Sequence, residues 1–273
     1  MASPIVKWPG GKRRMVPQLL ELIRPGDRLI EPFAGGMALS LAYDGPAVAS
    51  DTNKRLIAMY EAVRDDPEGV IRCLTHLRRD YYENTLPGGG ARAIVYYDNR
   101  NWFNQPTEIK IADAARLLFL NKTCFNGLYR ENRRGEFNVP HGRYKNPKIC
   151  DPKAIRACSE RLQAVELRRL NFSAVLRLAG KGDTAYCDPP YDDGFVQYTA
   201  EGFSWEKQQC LAHHAEQAAL RGARVIVSNA STLRVRLLYL LAGFEINEVQ
   251  AGRSISRDAA GRGDVTELLM MRG

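Results

Sequence analysis

Two consecutive prolines set the hardest boundary in this chain. Thr184-Ala185-Tyr186-Cys187 is a short apolar run, and Asp188-Pro189-Pro190-Tyr191 ends it. Proline has no N–H for a sheet ladder, clashes with a helix interior, and drives the residue before it to extended backbone. The chain must therefore leave the strand as a rigid extended turn. That turn presents a carboxylate, a fixed carbonyl and an aromatic ring at the C-terminal edge of a strand, which is where ligands bind in open α/β sheets. Taken alone, the segment reads equally well as a strand end closed by a Pro-Pro turn.

The surrounding pattern is α/β. A strand over Arg28–Phe33 runs into the turn Ala34-Gly35-Gly36, a helix over Ala38–Ala42 and a strand over Val48–Asp51. A strand, a glycine turn and a helix let a ligand approach the backbone near a helix N-terminus. Asp51 ends the second strand about 20 residues after the first, where an acid can take ribose hydroxyls; it can equally cap the helix beginning near Asn53. Lys7-Trp8-Pro9-Gly10-Gly11-Lys12 is a turn-rich lead-in ahead of a short amphipathic helix over Arg13–Ile23.

Helices are then predicted over Asn53–Arg64, Pro67–Tyr82 and Thr107–Leu120, with residues 84–105 loop-rich around an aromatic cluster (Tyr96, Tyr97, Trp102, Phe103) that reads as core. Residues 121–147 lose periodicity; Glu136–Pro140 is expected to pair with Gly142–Lys145 as a hairpin. From Pro152 the α/β alternation resumes. The expected division is 1–60 with 151–273 as one domain carrying the sheet, and 61–150 as an insertion. The loop at 191–203 is long and contains Asp192, Asp193 and Gly194.

The net charge of +8 is localised: residues 1–24 and 121–146 each carry +4, and the rest balances to zero. Confined positive charge suits a polyanion, although two solvated basic faces would look the same. No apolar run approaches the about 18 residues of a membrane span, and Met1–Trp8 lacks the apolar core of a signal peptide. The six cysteines show no C-x-x-C spacing, which argues for reduced thiols in a reducing, cytoplasmic compartment and against a structural metal site.

These segments together resemble the DNA adenine-N6 methyltransferases of the Dam type, in the class ordered cofactor motif, target-recognition region, catalytic motif. The likeness rests on Lys7-Trp8-x-Gly10-Gly11-Lys12, Glu31-Pro32-Phe33-x-Gly35, Asp51-x-Asn53, Asn126-Gly127-Leu128-Tyr129-Arg130 through Gly135–Pro140, Asp188–Tyr191, and Arg253-Ser254-Ile255-Ser256. It implies a Rossmann-like S-adenosylmethionine-dependent methyltransferase sheet with an inserted helical and β-hairpin DNA-recognition domain. Where this family often has a further glycine, the chain has Met37, a residue for which φ > 0 is costly.

The resemblance also implies roles. Asp188, Pro189, Pro190 and Tyr191 would act on the adenine: two acceptors, the Asp188 carboxylate and the Pro189 carbonyl, localise the amino lone pair, and Tyr191 stacks on the flipped base. Trp8, Lys12, Phe33, Gly35, Asp51 and Asp188 would hold S-adenosylmethionine; on charge alone Lys12 could instead meet a phosphate. Arg130 matches the reader of a guanine, Leu128 and Pro140 apolar contacts on the thymine side, and Lys7 a contact at the outer guanine. Asn126, Asn132, Asn138, Arg143 and Tyr144 complete the expected DNA surface. The implied target is double-stranded 5′-GATC, or a longer site beginning GAT; an RNA or protein-amide substrate would leave the basic hairpin unexplained. No metal, membrane or obligate protein partner is expected, and a bacterial cytoplasm or nucleoid, or a phage within it, is the implied setting.

Overall fold

The computed structural model describes residues 2–83, 90–105, 110–192, 203–252 and 264–273. They form two compact units, one helical (Met1–Gly11 with Asn53–Gln163) and one α/β (Lys12–Thr52 with Ala164–Gly273). The chain passes between them three times. The units divide at 52/53 and 163/164, whereas the sequence reading divided at 60/61 and 150/151. The reason is helix packing: α3 (Lys54–Asp65) and α7 (Pro152–Leu162) lie against each other in the helical unit. There Ser159 Oγ and Gln163 Nε2 both donate to the Arg64 carbonyl, at 3.1 and 3.0 Å.

The α/β unit starts with α1 (Val16–Leu22), β1 (Arg28–Glu31), α2 (Ala38–Ala42) and β2 (Ala47–Ser50). After the helical unit come β3 (Val165–Arg168), α8 (Phe172–Leu176), β4 (Asp183–Cys187), α9 (Trp205–Leu220), β5 (Arg224–Ala230), α10 (Leu233–Leu241), β6 (Glu245–Gly252) and β7 (Asp264–Arg272). The sheet order is β3-β2-β1-β4-β5-β7-β6. The first five strands are parallel, and β7 runs antiparallel between β5 and β6.

This is a doubly wound, Rossmann-like order whose direction of winding reverses between β1 and β4. Central strands covered on both faces read as continuous apolar runs rather than alternating ones, and β4 is buried at every position. Register pairs Ile30 with Ala185. The carboxyl ends of β1 and β4, Glu31–Gly35 and Asp188–Tyr191, therefore emerge side by side at the crevice where such sheets bind ligands.

The helical unit holds α3, α4 (Pro67–Glu83), α5 (Gly90–Asn104), α6 (Lys110–Thr123) and α7. From Ala114 to Thr123 only Arg116 and Lys122 of α6 escape burial. It is the central helix of the unit, and so it lacks the single stripe of a surface helix. The segment expected to be loop-rich contains α5 instead. Tyr96 and Phe103 are buried in its packing as expected, but Tyr97 and Trp102 are 37% and 60% exposed. The expected hairpin has a different partner: Glu136–Pro140 lies antiparallel to the segment before it, with bridges Glu131 to Phe137 and Cys124 to His141. The local cause is the turn at Asn132–Glu136. Gly135 takes φ +74°, and Asn132 Oδ1 accepts from the N–H of Arg134 and of Glu136 at 2.9 and 3.0 Å.

Candidate active site and recognition surface

At the carboxyl end of β4, four side chains from distant parts of the α/β unit converge. Lys12 Nζ lies 3.3 Å from Asp188 Oδ1 and 3.1 Å from Glu267 Oε2. It donates to the Tyr191 hydroxyl and sits 4.4 Å from that ring's centroid. Tyr191 in turn donates to Glu267 Oε2 at 2.8 Å. One lysine thus stands between two carboxylates. Burial pushes the Asp188 carboxyl up to about 6, Lys12 pulls it down, and Glu267 adds to the rise. Asp188 Oδ1 is a buried atom, and the Lys12 ammonium is the cation paired to it. A buried carboxylate held by one ammonium, itself shared with Glu267, keeps acceptor capacity for a further donor.

The Pro-Pro turn is fixed from outside. Pro189 is buried and Pro190 exposed. Gln208 Nε2 donates to the Pro190 carbonyl at 3.0 Å, and Asp192 N donates to Asn229 Oδ1 at 3.2 Å. The Asp192 carboxylate is bound by the Arg234 guanidinium.

At the carboxyl end of β1, Gly35 takes φ +46° and Met37 φ +56°. The left-handed conformation expected to be costly at Met37 is adopted all the same, and its fully buried side chain offsets the strain: about 1–3 kcal/mol for such a backbone against about 1.5–3 kcal/mol for burying a methionine. Asp51 Oδ2 accepts from Gly35 N at 3.1 Å. The cap of α3 is Asn53, whose side chain accepts from Leu56 N at 3.0 Å, so Asp51 braces the glycine turn instead. Phe33 packs on Phe172 and Phe203 with centroids 5.5 and 5.8 Å away. Beneath the turn, Glu31 accepts from Ser40 N and Oγ; burial pushes its carboxyl up to about 8 despite those bonds.

The expected DNA-facing residues all lie in the helical unit. Lys7 is exposed, with Nζ 4.7 Å from the Tyr144 ring centroid. Its backbone is clamped by Asn121: Lys7 N donates to Oδ1 at 2.7 Å, and Nδ2 donates to the carbonyls of Lys7 and Gly127 at 2.8 and 3.1 Å. Asn126 is exposed at φ +54° and Gly127 follows at φ +64°. A Cβ on Gly127 would fall 2.3 Å from Lys7 Cδ, so only glycine admits the lysine stem there. Arg130 is exposed, and Asn138 orients it by accepting from Nε at 2.7 Å. Pro140 and Arg143 are exposed and Leu128 half-buried. Asn132 belongs to the turn itself: beyond its two accepted bonds, its Nδ2 donates to Glu136 at 2.7 Å.

The structure therefore assembles Lys12, Asp188 and Tyr191 in one cluster and Gly35 with Asp51 in another. It places Trp8 in the helical unit, stacked on Tyr129 at 5.1 Å. Arg253–Ser256 and the loop at 193–202 lie outside the described residues. Sequence reasoning missed Glu267, Gln208, Asn229, Asn121, Phe172 and Phe203. None stands in a recognisable motif; only the sheet order and helix packing bring them in. Among the described residues, no cluster of His, Cys, Asp or Glu is placed to hold a metal ion, and no helix is long and apolar enough to cross a membrane. The six cysteines are free thiols.

Comparison with known proteins gives a consistent result. The family model for D12 class N6 adenine-specific DNA methyltransferases matches residues 8–255. The retron Ec67 DNA adenine methylase of Escherichia coli is 36% identical, over 99% of this chain and 92% of its own length. The type II methyltransferase M1.LlaDCHI of Lactococcus lactis subsp. cremoris is 35% identical, over 98% and 94%. A DNA adenine methylase of Vibrio cholerae is 34% identical, over 97% and 94%.

Proposed function

The chain belongs to the D12 class of N6 adenine-specific DNA methyltransferases, and we propose that it methylates adenine within 5′-GATC in double-stranded DNA, using S-adenosylmethionine and a flipped base. The observation that carries the catalytic part is the Asp188 carboxylate, buried at the carboxyl end of β4 and paired to an ammonium that it shares with Glu267.

An adenine amino group is a poor nucleophile because its lone pair is delocalised into the ring. Acceptors aimed at its two hydrogens draw that pair back onto nitrogen. Asp188 Oδ1 is one such acceptor, and the Pro189 carbonyl, held in a turn that cannot relax, is the other. Nitrogen then bonds to the methyl carbon, the carbon–sulfur bond breaks, and one amino proton leaves to Asp188 or to water. Tyr191 has Lys12 against one ring face, so the base stacks on the other. An adenine inside a duplex cannot reach these groups, hence the flipping.

The residues at the β1 and β2 ends suit S-adenosylmethionine, which supplies the electrophilic methyl. Asp51 beside the Gly35 turn offers an acceptor for ribose hydroxyls. Phe33 and its aromatic neighbours offer an apolar wall, and Lys12 a cation for the carboxylate. For target choice, Asn138 leaves the Arg130 fork oriented for a guanine edge, a contact worth about 1–3 kcal/mol of discrimination. Lys7 reads the outer guanine, and Leu128 with Pro140 the thymine side. Asn126, Arg143 and Tyr144 sit on the same recognition segment, with Asn132 and Asn138 shaping it. On this reading the α/β unit is catalytic and the helical unit recognises the target.

Transfer of labelled methyl from S-adenosylmethionine to a GATC duplex, compared with duplexes altered at each position and with RNA of the same sequence, tests the proposal. Label in the GATC duplex alone is expected. Equal labelling of altered sites would refute the recognition assignment, and labelling that requires a base beyond GATC would extend it to a longer site.

A further inference from the structure

A turn made of two prolines cannot anchor itself. Pro189 and Pro190 have no N–H to donate, so their carbonyls must be fixed by donors from elsewhere. The α/β unit supplies a closed ring for this. Asn229 Oδ1 accepts from the N–H of Asp192 and of Ala230, at 3.2 and 2.8 Å. Its Nδ2 must then point away from them, and it donates to Gln208 Oε1 at 3.0 Å. That in turn aims Gln208 Nε2 at the Pro190 carbonyl, 3.0 Å away. The orientation of both amides follows from the two backbone donors at Asn229. Gln208 is 1% exposed and Asn229 fully buried, in a setting where each unpaired amide group would be costly.

We infer that Gln208 and Asn229 are the positioning residues of methyl transfer: the paired amides clip Pro190 to Asp192 and thereby fix where the Pro189 carbonyl and Asp188 carboxylate point. The inference rests on the reading of Asp188–Tyr191 as the reacting centre. Neither amide touches the base or the donor. Their effect is on geometry, and a displacement of about 1 Å is enough to cost on the order of 10²-fold in rate.

The test measures single-turnover methyl transfer with enzyme in excess of duplex, alongside dissociation constants for DNA and S-adenosylmethionine and thermal unfolding. Gln208→Met removes the two ring links made by Gln208, to Asn229 and to Pro190, with little change of volume. Gln208→Glu keeps an acceptor for Asn229 and, assayed at a pH where it is ionised, replaces the donor to Pro190 with a repelling carboxylate, while at lower pH its protonated form can donate there again. A rate that recovers as pH falls within the active range reports on that one bond even if the methionine variant does not fold. Both are expected to slow transfer by about 10–100-fold, with both dissociation constants within about threefold. Adding Asn229→Ala to Gln208→Met is expected to cost no more than the larger single change, because the ring is already open.

Folded variants with unchanged single-turnover rates would overturn the inference. So would a loss wholly accounted for by weaker cofactor binding or by an unfolded fraction, and so would multiplicative losses in the double variant. Asp188→Ala separates the two levels. If it transfers methyl normally, the reading of the reacting centre fails; if it is inactive while the Gln208 variants are normal, only the positioning role fails.

Discussion

Two turns of this molecule do comparable work in opposite ways. The turn at Asn132–Glu136 is held by its own residues: Asn132 bonds the backbone N–H two and four residues on, and Gly135 supplies the positive φ. The turn at Asp188–Asp192 is held by residues far away in sequence: Gln208 lies 18 residues from Pro190, Asn229 37 from Asp192, Glu267 76 from Tyr191 and Lys12 179 from it. On the proposed function, the first shapes a surface that reads DNA and the second a centre that handles one amino group. A locally built turn can be altered without disturbing the rest of its unit. A turn built from four separate elements cannot, and chemistry that tolerates little displacement sits on it.

That contrast predicts how each region fails. Asp188→Ala is expected to reduce methyl transfer by about 10³-fold, the scale for removing a preorganised charge-stabilising group, while gel-shift affinity for a GATC duplex stays near that of the unaltered enzyme. Loss of both together would dissolve the comparison. Arg130→Ala is expected to show the reverse. Discrimination between GATC and a guanine-substituted site falls by about 1–3 kcal/mol, with transfer at saturating duplex little changed; the ratio of kcat/KM on the two duplexes measures it.

A smaller effect is expected from pH. Ionised Asp188 is the stronger acceptor for the amino hydrogen and the form able to take its proton, and burial lifts its carboxyl to about 6. Transfer should therefore fall as pH drops through about 6, approaching tenfold per unit below it. Lys12 stabilises the charged form, so Lys12→Gln should move that limb to higher pH. Discrimination through Arg130, whose guanidinium stays charged throughout, should not follow the limb; a pH profile of the cognate-to-substituted ratio tests this. The smallest effect belongs to Asn132→Ala. It removes three surface turn bonds, each worth at most about 1 kcal/mol net, seen as slightly weaker discrimination with an unaltered single-turnover rate.

The same contrast explains what the sequence revealed. Pro189-Pro190, the Gly35-Gly36 turn and Asp51 carry their meaning within a few residues, and they located both strand ends that form the crevice. The α/β alternation, split by an insertion, was equally readable from its apolar runs. The hairpin's partner was misjudged because Asn132 and Gly135 were not read as the turn, although both are turn-forming residues in sequence. Residues 90–105 read as loop because the preceding glycines and mixed aromatics hid a helix whose buried face is set by α6. Glu267, Gln208, Asn229 and Asn121 gave no local signal. A glutamate in an apolar strand or a glutamine on a helix acquires its role only from the element opposite.

Lys12 and Glu267, which meet at 3.1 Å, are 255 residues apart. Glu267 stands on β7, the strand inserted between β5 and β6. During synthesis the chain emerges from its N-terminus, so the cation is exposed long before its second carboxylate exists. Until β7 is added, β5 lacks its neighbour on that side, and Tyr191 lacks the acceptor for its hydroxyl. A chain that stops short of β7 therefore has an unfinished cluster around Lys12, Asp188 and Tyr191.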